Sequence, residues 1–248
     1  MSSHRTQQKK PILHQPPTDD ILSETQRRTL VSIAAALTDR LATMGEDASG
    51  LYNYYARKLR HDALLGECDL HVLEMLRQRV GQFRRVWEIG SGVGQLTAML
   101  ALDGHEVVAI DRDPRRYAAM TAALDVLECH DPNARRRVAT RFGSFPAVLD
   151  EKDDVRADAV LVLGCTFTAA ESEYRAFTDA LPRFTFGLID FPRLFAETTN
   201  CGEWRRRARD FAERYHIAAV AVADYEIREE NKRGELSLVG GQPSSLAP

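Results

Sequence analysis

From residue 85 onward the sequence predicts an α/β fold: a seven-stranded, mostly parallel, doubly wound sheet. Three observations predict it. Short apolar runs alternate with helix-spaced amphipathic segments along the whole stretch. The run Val86-Trp87-Glu88-Ile89 leads directly into Gly90, Gly92 and Gly94, and a second run, Val107 to Ile110, ends in Asp111. The last two runs have only Glu226 to Gly234 between them, too short for a crossover helix, so they are expected to close the chain as an antiparallel C-terminal β-hairpin.

Taken in order, residues 1–20 are polar and carry Pro11, Pro16 and Pro17, the composition of a mobile tail. Residues 21–82 read as an N-terminal helical lid, and residues 83–248 as the ligand-binding α/β domain. Ser23 opens the first helix with a Ser-x-x-Gln capping pattern, followed by Leu30, Ile33, Leu37, Leu41 and Met44 at helical spacing. Gly45 to Gly50 is a break. A second helix is expected from about Leu51 to Leu65, and a third on Leu70, Leu73, Leu76 and Val80, ending at Gly81.

Strands are expected at 85–89, 106–110, 137–141, 158–163, 184–190, 217–225 and 235–239. Helices are expected between them at 95–103, 114–127, 169–181 and 202–215.

Composition narrows the class. The 248 residues are 44% hydrophobic, enough for a sizeable core, and the net charge of −3 lacks the basic balance of a nucleic-acid binder. Arg135–Arg137 and Arg205–Arg207 are local clusters that read as solvated helix faces. No apolar run approaches the ~20 residues of a membrane helix, and the polar N-terminus lacks the apolar core of a signal peptide. Cys68, Cys129, Cys165 and Cys201 are scattered, as suits free thiols in a reducing cytoplasmic setting. Cys129-His130-Asp131 is the one local group of metal-ligand types, and it reads as a helix end; no metal is expected.

The segment from Glu88 to Asp111 carries the chemistry. A tight strand-to-helix turn needs backbone conformations that glycine adopts cheaply, and bare main chain lets a ligand lie close. An acid at the end of the second strand can accept two hydrogen bonds from a ribose diol. A dinucleotide site wants G-x-G-x-x-G, but here the third position of that pattern is Gln95 and the glycine comes one residue early, at Gly94. The resulting Glu88-x-Gly90-x-Gly92-x-Gly94, with Asp111 closing the second strand, resembles the first motif of class I S-adenosylmethionine-dependent methyltransferases. The resemblance implies a Rossmann-like sheet and S-adenosyl-L-methionine as cofactor, held by Glu88, Gly90, Ser91, Gly92, Gly94, Asp111 and Arg112.

Ligands of such sheets lie beyond the carboxyl ends of the strands, which selects the other candidates. The resemblance puts Ser144 and Phe145, after the third strand, near the adenine; Phe145 either flanks the ring or anchors the core. It puts Gly164, Cys165 and Thr166, after the fourth strand, near the methionine part. That loop lacks the acid or amide with which DNA- and protein-amide-modifying relatives touch their acceptor. Asp190-Phe191-Pro192-Arg193, after the fifth strand, is similar to an Ile-Asp-x-Arg segment of glycine and sarcosine N-methyltransferases, with the arginine one residue late. Asp190 is a candidate general base or amine-positioning acid, or a cap for the following segment. Arg193 is a candidate for a bidentate substrate carboxylate, or a surface ion pair.

Tyr52, Tyr54 and Tyr55 with Asn53 cover more than one face of the second helix. Tyrosine rings can face a sulfonium cation, so Tyr52 and Tyr55 are candidates for a lid over the cofactor, and Arg57 or Arg60 for its carboxylate. This helix, Gly90-Ser91-Gly92 with Leu96-Thr97, and Asp111-Arg112-Asp113-Pro114 also resemble, in the same order, segments of nicotianamine synthases. Those enzymes transfer the aminobutyryl arm of the same cofactor, and an intramolecular version would close an azetidine ring. The expected activity is methyl transfer to a small polar metabolite, with aminobutyryl chemistry as the alternative. No nucleic acid or membrane partner is expected, and a homodimer is the candidate assembly.

Overall fold

The computed structural model describes residues 21–44, 50, 53–55, 58, 64–150, 153–156, 158–163, 171–194, 201–214, 219–227 and 232–239. The strands are β1 (Val86–Ile89), β2 (Val107–Asp111), β3 (Val138–Phe142), β4 (Ala159–Val162), β5 (Phe186–Asp190), β6 (Ala219–Ile227) and β7 (Lys232–Val239). They form one sheet in the order β3-β2-β1-β4-β5-β7-β6. The first five run parallel. β7 runs antiparallel to both β5 and β6, and β6 carries a register shift between Ala221 and Ala223. The described helices are α1 (Glu24–Thr43), α2 (Glu67–Arg77), α3 (Gln95–Leu102), α4 (Pro114–His130), α5 (Pro132–Arg136), α6 (Glu171–Ala180), α7 (Phe191–Leu194) and α8 (Cys201–Arg214).

The period-two alternation of the strands divides the core into two layers. Val86, Ala109, Leu161 and Leu188 face a cluster built with Leu37 of α1, Leu73 of α2, Leu96 of α3 and Leu124 of α4. Trp87, Val108, Ile110, Val160 and Ile189 face the opposite cluster, with Phe177 of α6, Phe191 of α7 and Phe211 of α8. The N-terminal helices therefore share the core of the sheet's first face.

Local chemistry explains how they dock. Ser23 Oγ accepts from Gln26 N at 3.2 Å while Gln26 Oε1 accepts from Ser23 N at 2.9 Å, the reciprocal cap expected from the sequence. Gln26 Nε2 goes on to donate to Met99 O in α3. Arg77, at the end of α2, donates to Ile21 O at 2.6 Å and holds Asp103 just past α3 at 3.1 Å. Ile33, Leu37 and Leu41 on the inner face of α1 are at most 2% exposed.

A second knot lies at the amino ends of β1 and β4. Asp158, fully buried, accepts from Trp87 Nε1 at 2.8 Å and from Arg84 Nε and Arg85 Nε at 3.1 Å each. Arg85 and Arg141 also lie 5.3 and 4.9 Å from the Trp87 ring centroid.

Two expectations shift. α2 stops at Arg77, and Val80 is 46% exposed outside it. Arg79 N bonds Leu76 O and Gln82 N bonds Arg79 O, tight turns that carry the chain to Gly81 at positive φ. Two short helices, α5 and α7, follow immediately after Asp131 and Asp190. Asp131 caps α5 by accepting from Asn133 N and Ala134 N at 2.9 Å, so Cys129-His130-Asp131 is a helix junction.

Candidate functional site

Strand order reverses at β1, which has β2 on one side and β4 on the other. The crevice beyond the carboxyl ends of such a pair is where open α/β sheets take their ligands. The loop between β1 and α3 floors it.

The amides of that loop are directed inward. Gly90 N and Ser91 N both donate to Ile110 O, at 2.8 and 2.9 Å, and Gly94 N donates to Ser91 O at 3.0 Å. Gly92 N donates to Asp111 Oδ2 at 2.8 Å. The Tyr55 hydroxyl lies over the loop, close to Gly92. The amides of Gly90, Ser91, Gly92 and Gly94 thus have partners within the protein.

Two glycines are required by what lies above them. Gly92 has φ +62°, and a Cβ there would stand 2.9 Å from Tyr55 Oη. Gly94 has φ +82° in its place before α3, and a Cβ there would stand 2.8 Å from Met120 Cγ of α4. Ser91 is 2% exposed with its hydroxyl on Met120 Sδ at 3.7 Å.

Asp111, the last residue of β2, is 4% exposed. Its Oδ1 accepts from Asp113 N at 2.8 Å and its Oδ2 from Gly92 N. Burial pushes its carboxyl up, and the two N–H bonds and the nearby Arg116 guanidinium oppose the rise. Two oxygens, each with spare lone pairs, suit a vicinal diol. Glu88 is 5% exposed and accepts the Thr97 hydroxyl from α3. Burial pushes it up to about 8; the Thr97 bond opposes this, and Asp69 and Asp111 add to it.

Tyr55 comes to the loop from the N-terminal segment and is 4% exposed. Burial raises its phenol above the ordinary range. Tyr54 meets it edge to face at 5.0 Å, and Lys58 Nζ lies 5.3 Å from the Tyr54 ring centroid.

The other candidates fall as follows. Gly143 N bonds Asp111 O at 3.0 Å, tying the loop after β3 to the end of β2. On that loop Ser144 is exposed, as is Arg112 after β2. Phe145 is 6% exposed and packs at 6.0 Å from Phe177 and 6.1 Å from Phe184, so its ring serves as a core anchor. Asp190 ends β5 at 2% exposure, directly before α7, on which Arg193 lies. Tyr52, Arg57, Arg60, Gly164, Cys165 and Thr166 lie outside the described residues, as does the side chain of Arg193. Sequence reasoning missed Asp69, Arg116 and Met120. They come from helices α2 and α4, where no local pattern marks a residue that reaches the sheet edge.

The arrangement fits an adenosyl ligand. It offers a carboxylate with spare lone pairs, a glycine-rich loop, and a buried Gln95 Oε1 without a hydrogen-bond partner at the start of α3. Among the described residues no group of three or more histidines, cysteines or acids could hold a metal.

No protein-family model matches the chain, and no curated protein does. Solved structures do. A putative O-methyltransferase from Klebsiella pneumoniae aligns over 89% of this chain and 91% of its own, with TM-score 0.51 and 15% identity. A precorrin-6y C5,15-methyltransferase from Geobacter metallireducens aligns over 73% and 92%, with TM-score 0.50 and 13% identity. The methyltransferase domain of METTL16 aligns over 71% and 66%, with TM-score 0.50 and 11% identity. At these identities the likeness is one of fold.

Proposed function

We propose that this chain, whose fold is that of class I S-adenosylmethionine-dependent methyltransferases, is itself such a transferase and methylates a small polar metabolite. The observation that carries the reading is Asp111. It closes β2 at the switch point, beside the glycine loop, and accepts from Gly92 N. Its carboxylate suits a ribose diol, and Gly94 comes one residue earlier than the dinucleotide pattern requires.

Bound here, S-adenosyl-L-methionine would supply an electrophilic methyl group on a sulfonium. Asp111 would take the ribose diol, and the backbone of Gly90, Ser91, Gly92 and Gly94 would line the ligand's near side, with Tyr55 and Met120 filling the places where side chains at 92 and 94 would stand. Arg112 and Ser144 border the adenine side in this reading, and Gly164, Cys165 and Thr166 the methionine side. Of the N-terminal region, residues 21–82, the segment carrying Tyr52 and Tyr55 would serve as the lid over the cofactor in this reading. Asp190 accepts a proton from, or positions, the acceptor nucleophile, and Arg193 pairs an acceptor carboxylate. The protein's task is alignment and exclusion of water, which can supply ~7–11 kcal/mol of a barrier.

A small acceptor is supported by how the arginine cluster after α4 is used. Arg135 bonds Val138 O, Arg136 bonds Asn133 Oδ1 and Arg137 bonds Ala101 O, so these groups brace the fold. Among the described residues no helix is long and apolar enough to cross a membrane. The scattered cysteines suit a reducing cytoplasm.

The test is to incubate the purified chain with cofactor, with and without a metabolite mixture, and to identify the adenosyl by-product. S-adenosylhomocysteine formed only with the mixture is the expected result. Release of 5′-methylthioadenosine above the spontaneous rate would overturn methyl transfer in favour of aminobutyryl chemistry.

A further inference from the structure

Glu88 is a buried acid with no balancing cation among the described residues. It lies in β1, two residues before the glycine loop, and is 5% exposed. Its Oε2 accepts from the Thr97 hydroxyl, and no other described residue hydrogen-bonds it. The charged groups acting on it are Asp69 from α2 and Asp111 from β2, both acids, while α3 contributes neutral Thr97. Arg116 of α4 faces Asp111 and Tyr55 instead. Asp69, in the first turn of α2, is itself held in place by accepting from the N-cap amide, Gly66 N, at 2.8 Å.

A carboxyl buried between two other carboxyls is stable in its neutral form and becomes stable as an anion when a cation arrives beside it. We propose that docking of the α-ammonium group of an adenosyl amino-acid ligand beside Asp69, Glu88 and Asp111 expels one proton from Glu88 to solvent. Ligand binding at this site is then coupled to pH. The inference rests on the adenosyl-cofactor reading above. The step makes and breaks no bond in the ligand: the Glu88 carboxyl becomes a carboxylate, and the proton goes to buffer.

The sign follows from the two states. In the free protein Glu88 keeps its proton up to about 8. Paired with a cation, it keeps it only at lower pH. Between those limits one proton leaves per ligand bound, so each unit rise in pH tightens binding about tenfold. Above about 8 the dependence flattens.

The experiment is calorimetric titration of the full chain at about pH 6.5, below the ~7.7–8.0 of an α-amino group, so that the ligand stays charged. Two buffers of different ionisation enthalpy count the protons. S-adenosylmethionine and S-adenosylhomocysteine should each release close to one proton. 5′-Methylthioadenosine, the same nucleoside without the amino-acid cation, should release none. The Kd for S-adenosylhomocysteine should fall roughly tenfold from pH 6 to 7. Glu88→Gln should lose both the proton release and the slope with S-adenosylhomocysteine. Should that variant not fold, the contrast between charged and neutral ligands on the parent decides alone. Binding of the charged ligands without proton release, or release that persists in Glu88→Gln, overturns the inference and leaves the cofactor reading standing. Failure of all three ligands to bind overturns both.

Discussion

The Asp111 carboxylate takes one N–H from Gly92 and another from Asp113, so it braces the loop as well as facing the crevice. Asp111→Ala should weaken S-adenosylhomocysteine binding at least tenfold, since two charge-assisted hydrogen bonds to the diol disappear. It should also lower stability by about 1–3 kcal/mol, because the buried Gly92 N–H loses its acceptor. Calorimetry and urea unfolding on the same preparation check both; unchanged affinity removes Asp111 from the site. Gly92 and Tyr55 make a coupled pair, with the hydroxyl 2.9 Å from where a Cβ would stand. Gly92→Ala should be more destabilising alone than in a Tyr55→Phe background, with a coupling of about 0.5–3 kcal/mol. Additive effects in the double-mutant cycle would mean that the loop relaxes away from the ring. The positive φ strains any side chain at Gly92 in either background.

Among the elements, β1 and β4 are joined at their amino ends by Asp158, which is opposite in the fold to the crevice. Its carboxylate gathers the Trp87 indole and two arginines with no exposure to solvent. Removing one partner of a buried ionic group strands the others, and the loss is typically about 3–5 kcal/mol. Asp158→Asn should therefore lower unfolding free energy by about that amount while leaving cofactor affinity in the folded fraction unchanged. Denaturant titration and ligand calorimetry separate the two effects. A variant as stable as the parent would show that the arginines find solvent at no loss. Trp87 fluorescence reports directly on the knot, because its indole donates to Asp158.

At the scale of the whole molecule, α1 belongs to the core of the first sheet face. Ile33, Leu37 and Leu41 sit with Leu96, Ala123 and Leu127 in one buried cluster. Burying each of these three side chains of α1 contributes about 1.5–3 kcal/mol, and a domain's whole net stability is about 5–15 kcal/mol. Deleting residues 1–44 should therefore abolish cooperative unfolding, as followed by circular dichroism against temperature. A truncated chain that still melts cooperatively and binds cofactor would show α1 to be detachable. The part of the N-terminal region that reaches the crevice is narrower: Tyr55, with Tyr54 and Lys58 beside it.

The sequence by itself determined the features that are local. Apolar runs of period two, glycines at fixed spacing, an acid closing a strand and a Ser-x-x-Gln cap are written in neighbouring residues, and α/β order, the strand-to-helix glycine turn and the α1 cap all follow from them. What only the tertiary structure decided depends on docking between distant segments. The hydroxyl over Gly92 belongs to Tyr55, and the acids beside Glu88 come from α2 and β2. The ring of Phe145 turns into the second core layer between Phe177 and Phe184. Phe145 shows the reason most plainly. An aromatic after a strand has the same local pattern whether it faces a ligand or the core, and the choice is made by which apolar surface the neighbouring helices leave to be covered.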